Sequence, residues 1–270
     1  MLRSEGDRLN QVIVSTPKYE YGRASDFEKH NIGELGEVET AVSQHNTLKS
    51  TLRAFGADVI DLPELEAHPN SVFTRDTALS TPRGYVKLRL GIKSREDEDL
   101  WMAAALDAIG EPCIGEITAP GTVEGGDVVL AGDVAFVGQS IRTNAEGIRQ
   151  LSALLEPMGY EMRVITLPDT ILHLDKALMV LGAKRLIYCE GLVSTTQIEG
   201  FDGIPFACGG DITANIICLG DGELLINRSN AVVAARLEAE GYTIHNLDLE
   251  EFAKGMGGPN CLIMPVRRGA

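Results

Sequence analysis

The stretch GDVVLAGDVAFVG, Gly126 to Gly138, reads as two short apolar strands joined by a tight turn at Gly132-Asp133. Apolar runs this short, with a glycine-aspartate break between them, suit a hairpin and are too brief for a helix. The same wording recurs in DTALSTPRGYVKL from Asp76, DKALMVLGAKRLIYC from Asp175 and NIICLGDGELLIN from Asn215. The first strands begin about 40 to 50 residues apart, a period that marks repeated structural units.

Outward from these hairpins, helix-period patterns occupy roughly 38–55, 95–109, 144–157 and 230–240, and ADVIDL, EMRVITL and YTIHNL follow three of them as strands. The unit beginning at Asp175 has only a short candidate helix near 193–199. CLIMPV near the C-terminus, paired beside QVIVSTP near the N-terminus, completes a fifth unit and closes a ring. The expected fold is therefore α/β, with five ββαβ pseudo-repeats around a central site in a single domain over 1–270. No long linker or composition break divides the chain.

The length of 270 residues allows a substantial core, and 44% apolar with 23% charged residues is an ordinary globular balance. A net charge of −15 argues against nucleic acid and anionic membranes as partners. MLRSEGDRLNQVIVSTP lacks the apolar core of a signal peptide, and no apolar run is long enough to span a bilayer, so a cytoplasmic location is expected. The five cysteines, Cys113, Cys189, Cys208, Cys218 and Cys261, form no CxxC pair and no zinc-like cluster. Neither a disulfide framework nor a structural metal is expected, and four of the five are expected only to pack.

Aligned on the first strands, Asp76, Asp127, Asp175 and the Asn260-Cys261 pair fall at equivalent positions. One aspartate there is an ordinary turn residue; a ring would gather the whole set on one axis. LHLDKALM sets His173 two residues before Asp175, on one face of a strand. A cysteine and a histidine in one cleft make a nucleophile with its acid/base partner. In TVEGGDVVL, Gly125 and Gly126 permit close backbone approach, and the Glu124 carboxylate is suited to orient the histidine. PNSVFTRDTAL presents Asn70, Phe73, Arg75 and Asp76 just before a strand, while Arg95 and Arg142 follow second strands. Acids grouped with a cysteine suit a planar cation, since paired carboxylates can grip a guanidinium.

With these residues in view, the sequence resembles the guanidino-group-modifying enzymes of the pentein fold, an α/β propeller, and particularly dimethylarginine dimethylaminohydrolases and arginine deiminases. VGQSIRTNAEGIRQL and the compact length look like the former; PNSVFTRD, HLD and GGPNCLIMPVRR look like the latter. The resemblance implies that Cys261 is the nucleophile, His173 the general acid/base and Glu124 its support. Asp76 and Asp175 match guanidinium-binding aspartates, Arg95 and Arg142 match arginines for the substrate α-carboxylate, and Asn70 matches a position near the amino-acid end. Arg75 and Asn70 stand where dimethylarginine hydrolases usually have Glu and Asp, and Asp175 where they commonly have Lys, departures that lean toward deiminase.

The implied activity is hydrolysis of the guanidino group of free arginine or its Nω-methylated forms through a covalent thiouronium on Cys261. Citrulline and ammonia or an alkylamine are the products, with no cofactor and no metal, and a small guanidino substrate is the implied partner. Amidino transfer to an amine, ornithine-forming dihydrolysis and a non-catalytic binding protein on the same scaffold are the alternatives. A homodimer is the assembly left open.

Overall fold

In Val128–Ala131 and Val134–Gln139 almost every side chain is buried on both faces, which is why these segments read as continuous apolar runs rather than alternating ones. The computed structural model describes residues 2–18, 21–24, 26–210 and 212–269. In chain order it contains β1 (Leu9–Thr16), α1 (Phe27–His30), α2 (Val38–Ala54) and β2 (Asp58–Pro63), then β3 (Ala78–Thr81), β4 (Gly84–Lys87), α3 (Glu98–Ala108) and β5 (Cys113–Glu116). Next come β6 (Val128–Ala131), β7 (Val134–Gln139), α4 (Ala145–Leu155) and β8 (Glu161–Thr166), followed by β9 (Leu178–Gly182), β10 (Arg185–Cys189) and β11 (Asp202–Phe206). The last are β12 (Ile217–Gly220), β13 (Glu223–Asn227), α5 (Ala231–Ala239), β14 (Thr243–Leu247), α6 (Glu250–Lys254) and β15 (Met264–Arg268).

Among the described residues the strands form five three-stranded sheets, each with a central strand antiparallel to one neighbour and parallel to the other. The sheet β6-β7-β8 is typical, pairing Val128 with Val137 and Val137 with Val164. The fifth sheet joins the chain ends: Ile13 of β1 pairs with Met264 of β15 and with Ile60 of β2. This is the expected pentein architecture of five ββαβ-like units, and the four longer helices lie within a few residues of their sequence expectations.

Two differences are informative. Residues 193–199 form turns rather than a helix. Ser194 and Gln197 bond each other's backbone amides through their side chains, at 3.3 and 2.9 Å, and so compete with helical bonding. Secondly, the Asp residues do not open strands. Thr74–Asp76, Gly125–Asp127, Leu174–Lys176 and Asn260–Leu262 are each a single 3-10 turn immediately ahead of a first strand.

The cysteine expectation needs correction. Cys189 and Cys208 form a disulfide, with Cα atoms 5.4 Å apart. Parallel pairing sets Phe206 opposite Cys189, so Cys208 arrives beside it two residues later; no local spacing motif announces this. Cys113 does not pack either, being exposed, whereas free Cys218 is buried. No helix among the described residues is long and apolar enough to cross a membrane.

Candidate active site

The 3-10 turns containing Asp76, Asp127, Asp175 and Cys261 meet at the axis of the ring: the first touches both the second and the fourth, and the second touches the third. Close approach at the second turn demands glycine. A Cβ on Gly125 would lie 2.1 Å from the Arg75 carbonyl oxygen, and one on Gly126 would lie 2.7 Å from His173 Nδ1. The Gly-Gly pair is therefore spatial rather than conformational in purpose.

Cys261 is 5% exposed, and its sulfur accepts from Asn215 Nδ2 at 3.2 Å and from the Gly258 amide at 3.4 Å. Asp175 Oδ2 lies 4.0 Å from the same sulfur and accepts from Asn260 Nδ2 at 3.0 Å, while Asp175 Oδ1 is buried without a partner. Burial, reinforced by Asp175 and Asp76, pushes the Cys261 thiol up to about 12. Burial likewise raises Asp175 above the ordinary carboxylate range.

His173 precedes the third turn in extended conformation. Its Nε2 lies 2.7 Å from Glu124 Oε2, and its Nδ1 faces Asp76 Oδ1 at 3.8 Å. Burial alone would lower its pKa, but Asp76 and the Glu124 hydrogen bond outweigh it and raise it to about 9. Burial similarly works against Glu124, yet His173 and Arg142 hold its pKa well below the usual range. Asp127, which the repeat alignment grouped with these acids, acts locally: it accepts from the Leu174 amide at 3.0 Å and from Ser140 Oγ at 2.6 Å.

The two arginines are not free. Arg95 Nη1 holds Asp76 Oδ2 at 2.6 Å, its Nη2 holds Glu98 Oε2 at 2.7 Å, and Nη2 also donates to the Phe73 carbonyl at 2.9 Å. Arg142 Nη1 reaches Glu124 Oε1 at 3.2 Å. Asn70 Nδ2 donates to the His30 carbonyl at 2.6 Å, leaving Asn70 Oδ1 buried and unpartnered. Arg75, by contrast, turns away from the site to pair with Glu5 at 2.6 Å.

Phe73, Asp76, Arg95, Arg142, His173 and Cys261 all line one cavity, together with Asn70 and Met256, around about 30 Å³ of open space. That is room for about one water molecule. Asp76, Glu124 and His173 each bring a ligand atom within 4.8 Å of the others, a spacing a cation could use, but both carboxylates are already neutralised by arginine. The sequence reading missed Glu98, the buried partner of Arg95, and Asn215, the partner of the thiol. Asn215 opens the fourth repeat at the aligned position and could have been found there. In the stretch YEYGRASDF, Tyr19, Glu20 and Ser25 lie outside the described residues; Tyr21 is buried, and its hydroxyl donates to the Glu251 carbonyl at 2.7 Å.

Comparison with known proteins identifies the family. The family model for arginine deiminase matches residues 64–203 and 210–268. A dimethylarginine dimethylaminohydrolase of Pseudomonas aeruginosa is 32% identical, over 82% of this chain and 87% of that protein. One of Streptomyces coelicolor is 30% identical over 93% and 94%. The structure of a Pseudomonas aeruginosa dimethylarginine dimethylaminohydrolase with citrulline superposes with a TM-score of 0.84 at 29% identity, covering 95% of this chain and 99% of that one. The chain belongs to the arginine deiminase family, among the pentein-fold hydrolases that act on guanidino C–N bonds.

Proposed function

We propose that the substrate is free L-arginine or an Nω-methylated arginine, converted to citrulline with release of ammonia or an alkylamine. The observation that carries this reading is one small cavity walled by a thiol, an imidazole, an aspartate and two arginines, with Asp175 buried 4.0 Å from the sulfur. Asp76 and Asp175 would grip the guanidinium in the geometry for attack. Arg95 and Arg142 would serve the α-carboxylate and Asn70 Oδ1 the α-ammonium, once the substrate guanidinium has taken over the charge that Arg95 now supplies to Asp76.

The proton positions suit this order of events. In the free enzyme the thiol is protonated, because burial, reinforced by Asp175 and Asp76, disfavours the thiolate, and His173 is protonated because Asp76 and Glu124 outweigh its burial. A bound guanidinium would cancel the acids' charge, allow Cys261 to lose its proton to water, and leave His173 as an acid. The thiolate adds to the guanidinium carbon, and His173 gives its proton to the departing nitrogen as the C–N bond breaks. Neutral His173 then takes a proton from water; the resulting hydroxide adds to the thiouronium carbon, and collapse expels the Cys261 thiolate while the hydroxyl proton passes to water, leaving a ureido product.

Incubation with arginine, monomethylarginine, asymmetric dimethylarginine and agmatine, with product identification, tests the reading. Ureido product from at least one of the amino acids is expected, none from the Cys261→Ser variant, and little from agmatine, which lacks a carboxylate. Efficient agmatine turnover would remove Arg95 and Arg142 from the proposed roles. Ornithine, or transfer to an added amine, would replace hydrolysis to citrulline by one of the alternative reactions.

A further inference from the structure

Four units of the ring reach the axis through 3-10 turns, and the remaining unit reaches it through Asn215, two residues ahead of β12. Asn215 is 2% exposed. Its Oδ1 accepts from the backbone N–H of Asn260 at 2.9 Å, which settles the orientation of the amide and leaves its NH₂ group facing the Cys261 sulfur at 3.2 Å. Gly258 completes the arrangement. Its N–H donates to the same sulfur at 3.4 Å, and a Cβ there would meet Asn215 Oδ1 at 2.4 Å, so only glycine lets the strap lie against the asparagine.

We propose that Asn215 Nδ2 and the Gly258 amide form a two-donor cradle that stabilises the Cys261 thiolate, which makes Asn215 a catalytic residue. This rests on the reading of Cys261 as nucleophile. The charged groups around the sulfur are Asp175 at 4.0 Å, Asp76, and Lys176, with His173, Arg95 and Arg142 on the same cavity wall. Arg95 and Arg142 are spent on carboxylates. In the proposed reaction His173 holds its proton for the leaving nitrogen. Neutral amide donors remain to meet the charge on sulfur, and such bonds strengthen as that charge develops. The cradle would act twice: when the thiolate forms to attack, and when it is expelled from the tetrahedral adduct of water. Asn215 also lines a second cavity of about 260 Å³, with Lys176 and Asn230.

The test reads the sulfur directly. Alkylation of Cys261 by iodoacetamide is followed against pH by peptide-resolved mass spectrometry, which separates it from exposed Cys113. Asn215→Leu removes the donor without adding charge, and it should slow alkylation at a given pH below the thiol's value of about 12 roughly ten- to a hundredfold. Its kcat should fall by a similar factor, with little change in KM. Should that variant fail to fold, Asn215→Ala removes the same donor with no added charge or bulk, and it should slow alkylation by a similar factor. Unchanged alkylation and kcat in a folded variant would overturn the proposal while leaving the nucleophile reading intact. Full activity of Cys261→Ser would instead overturn the nucleophile reading, and the cradle with it.

Discussion

His173 keeps its proton to about pH 9 because Asp76 and Glu124 overcome the cost of burying an imidazolium. Since the folded value lies above the ordinary 6.5, the protonated histidine stabilises the fold fully below about pH 6.5, and this contribution is lost as pH rises through about 9. The same proton is needed for the departing nitrogen, so kcat/KM is expected to decline over that alkaline limb. In Glu124→Gln the hydrogen-bonded charge is gone. The limb should then move to lower pH and kcat should drop, as a pH-rate series would record; a limb that stays near its original position would mean that Glu124 does not set the histidine. At this scale the sequence was informative about identity and silent about pairing. Cys261, His173, Glu124 and Asp76 were legible as a set, but the pairing of Arg95 with Asp76 and Glu98 was not. Ion pairing between residues brought together by folding leaves no trace in spacing.

Among the elements, the hairpins were the most legible, because a period of apolar runs and glycine turns needs no tertiary information. The 3-10 turns that deliver the site residues were not, since three residues carry no periodicity. The missing helix at 193–199 follows from local side-chain competition, and α1 and α6, of four and five residues, are too short to show a face. The Cys189–Cys208 disulfide belongs here too. It ties the end of β10 to the segment leading toward Asn215, closing a loop with a sequence separation of 19. A cross-link of that length contributes about 3 kcal/mol in the chain-entropy account. Reduction should lower the melting temperature by roughly 5 to 10 °C, and a Cys189→Ser variant should melt at the reduced value whether or not reductant is present. A melting curve indifferent to reductant in the parent chain would contradict this.

For the whole molecule, residues 2–8 link several of the units. The Leu2 amide bonds Thr81, the Glu5 amide bonds Leu130 at 2.8 Å, the Cys218 thiol bonds Gly6, and Arg268 Nη1 bonds the Asp7 carbonyl at 2.8 Å. Glu5 ties this segment to the ring. Its carboxylate meets Arg75 Nη2 at 2.6 Å, with side chains only 3% and 1% exposed, and Arg75 Nε also bonds the Gly125 carbonyl at 3.1 Å. Arg75 thus couples the N-terminal segment to the turn that carries Glu124 and Asp127. In Glu5→Gln a buried guanidinium loses its counter-charge, and unfolding free energy should fall by about 3 to 5 kcal/mol, measured by urea titration. A loss below about 1 kcal/mol would show that the pair is not a structural tie.

The sequence by itself determined the repeat, the closure of the ring by its two ends, and the residues gathered at its centre, because hydrophobic periodicity and turn chemistry act over a few residues and repeat visibly. Only the tertiary structure decided which charges neutralise which, that Arg75 pairs with Glu5, that Cys189 meets Cys208, and that Asn215 stands against the thiol. Those contacts join residues from different units, and their energies depend on burial and distance, which exist only after the ring has closed.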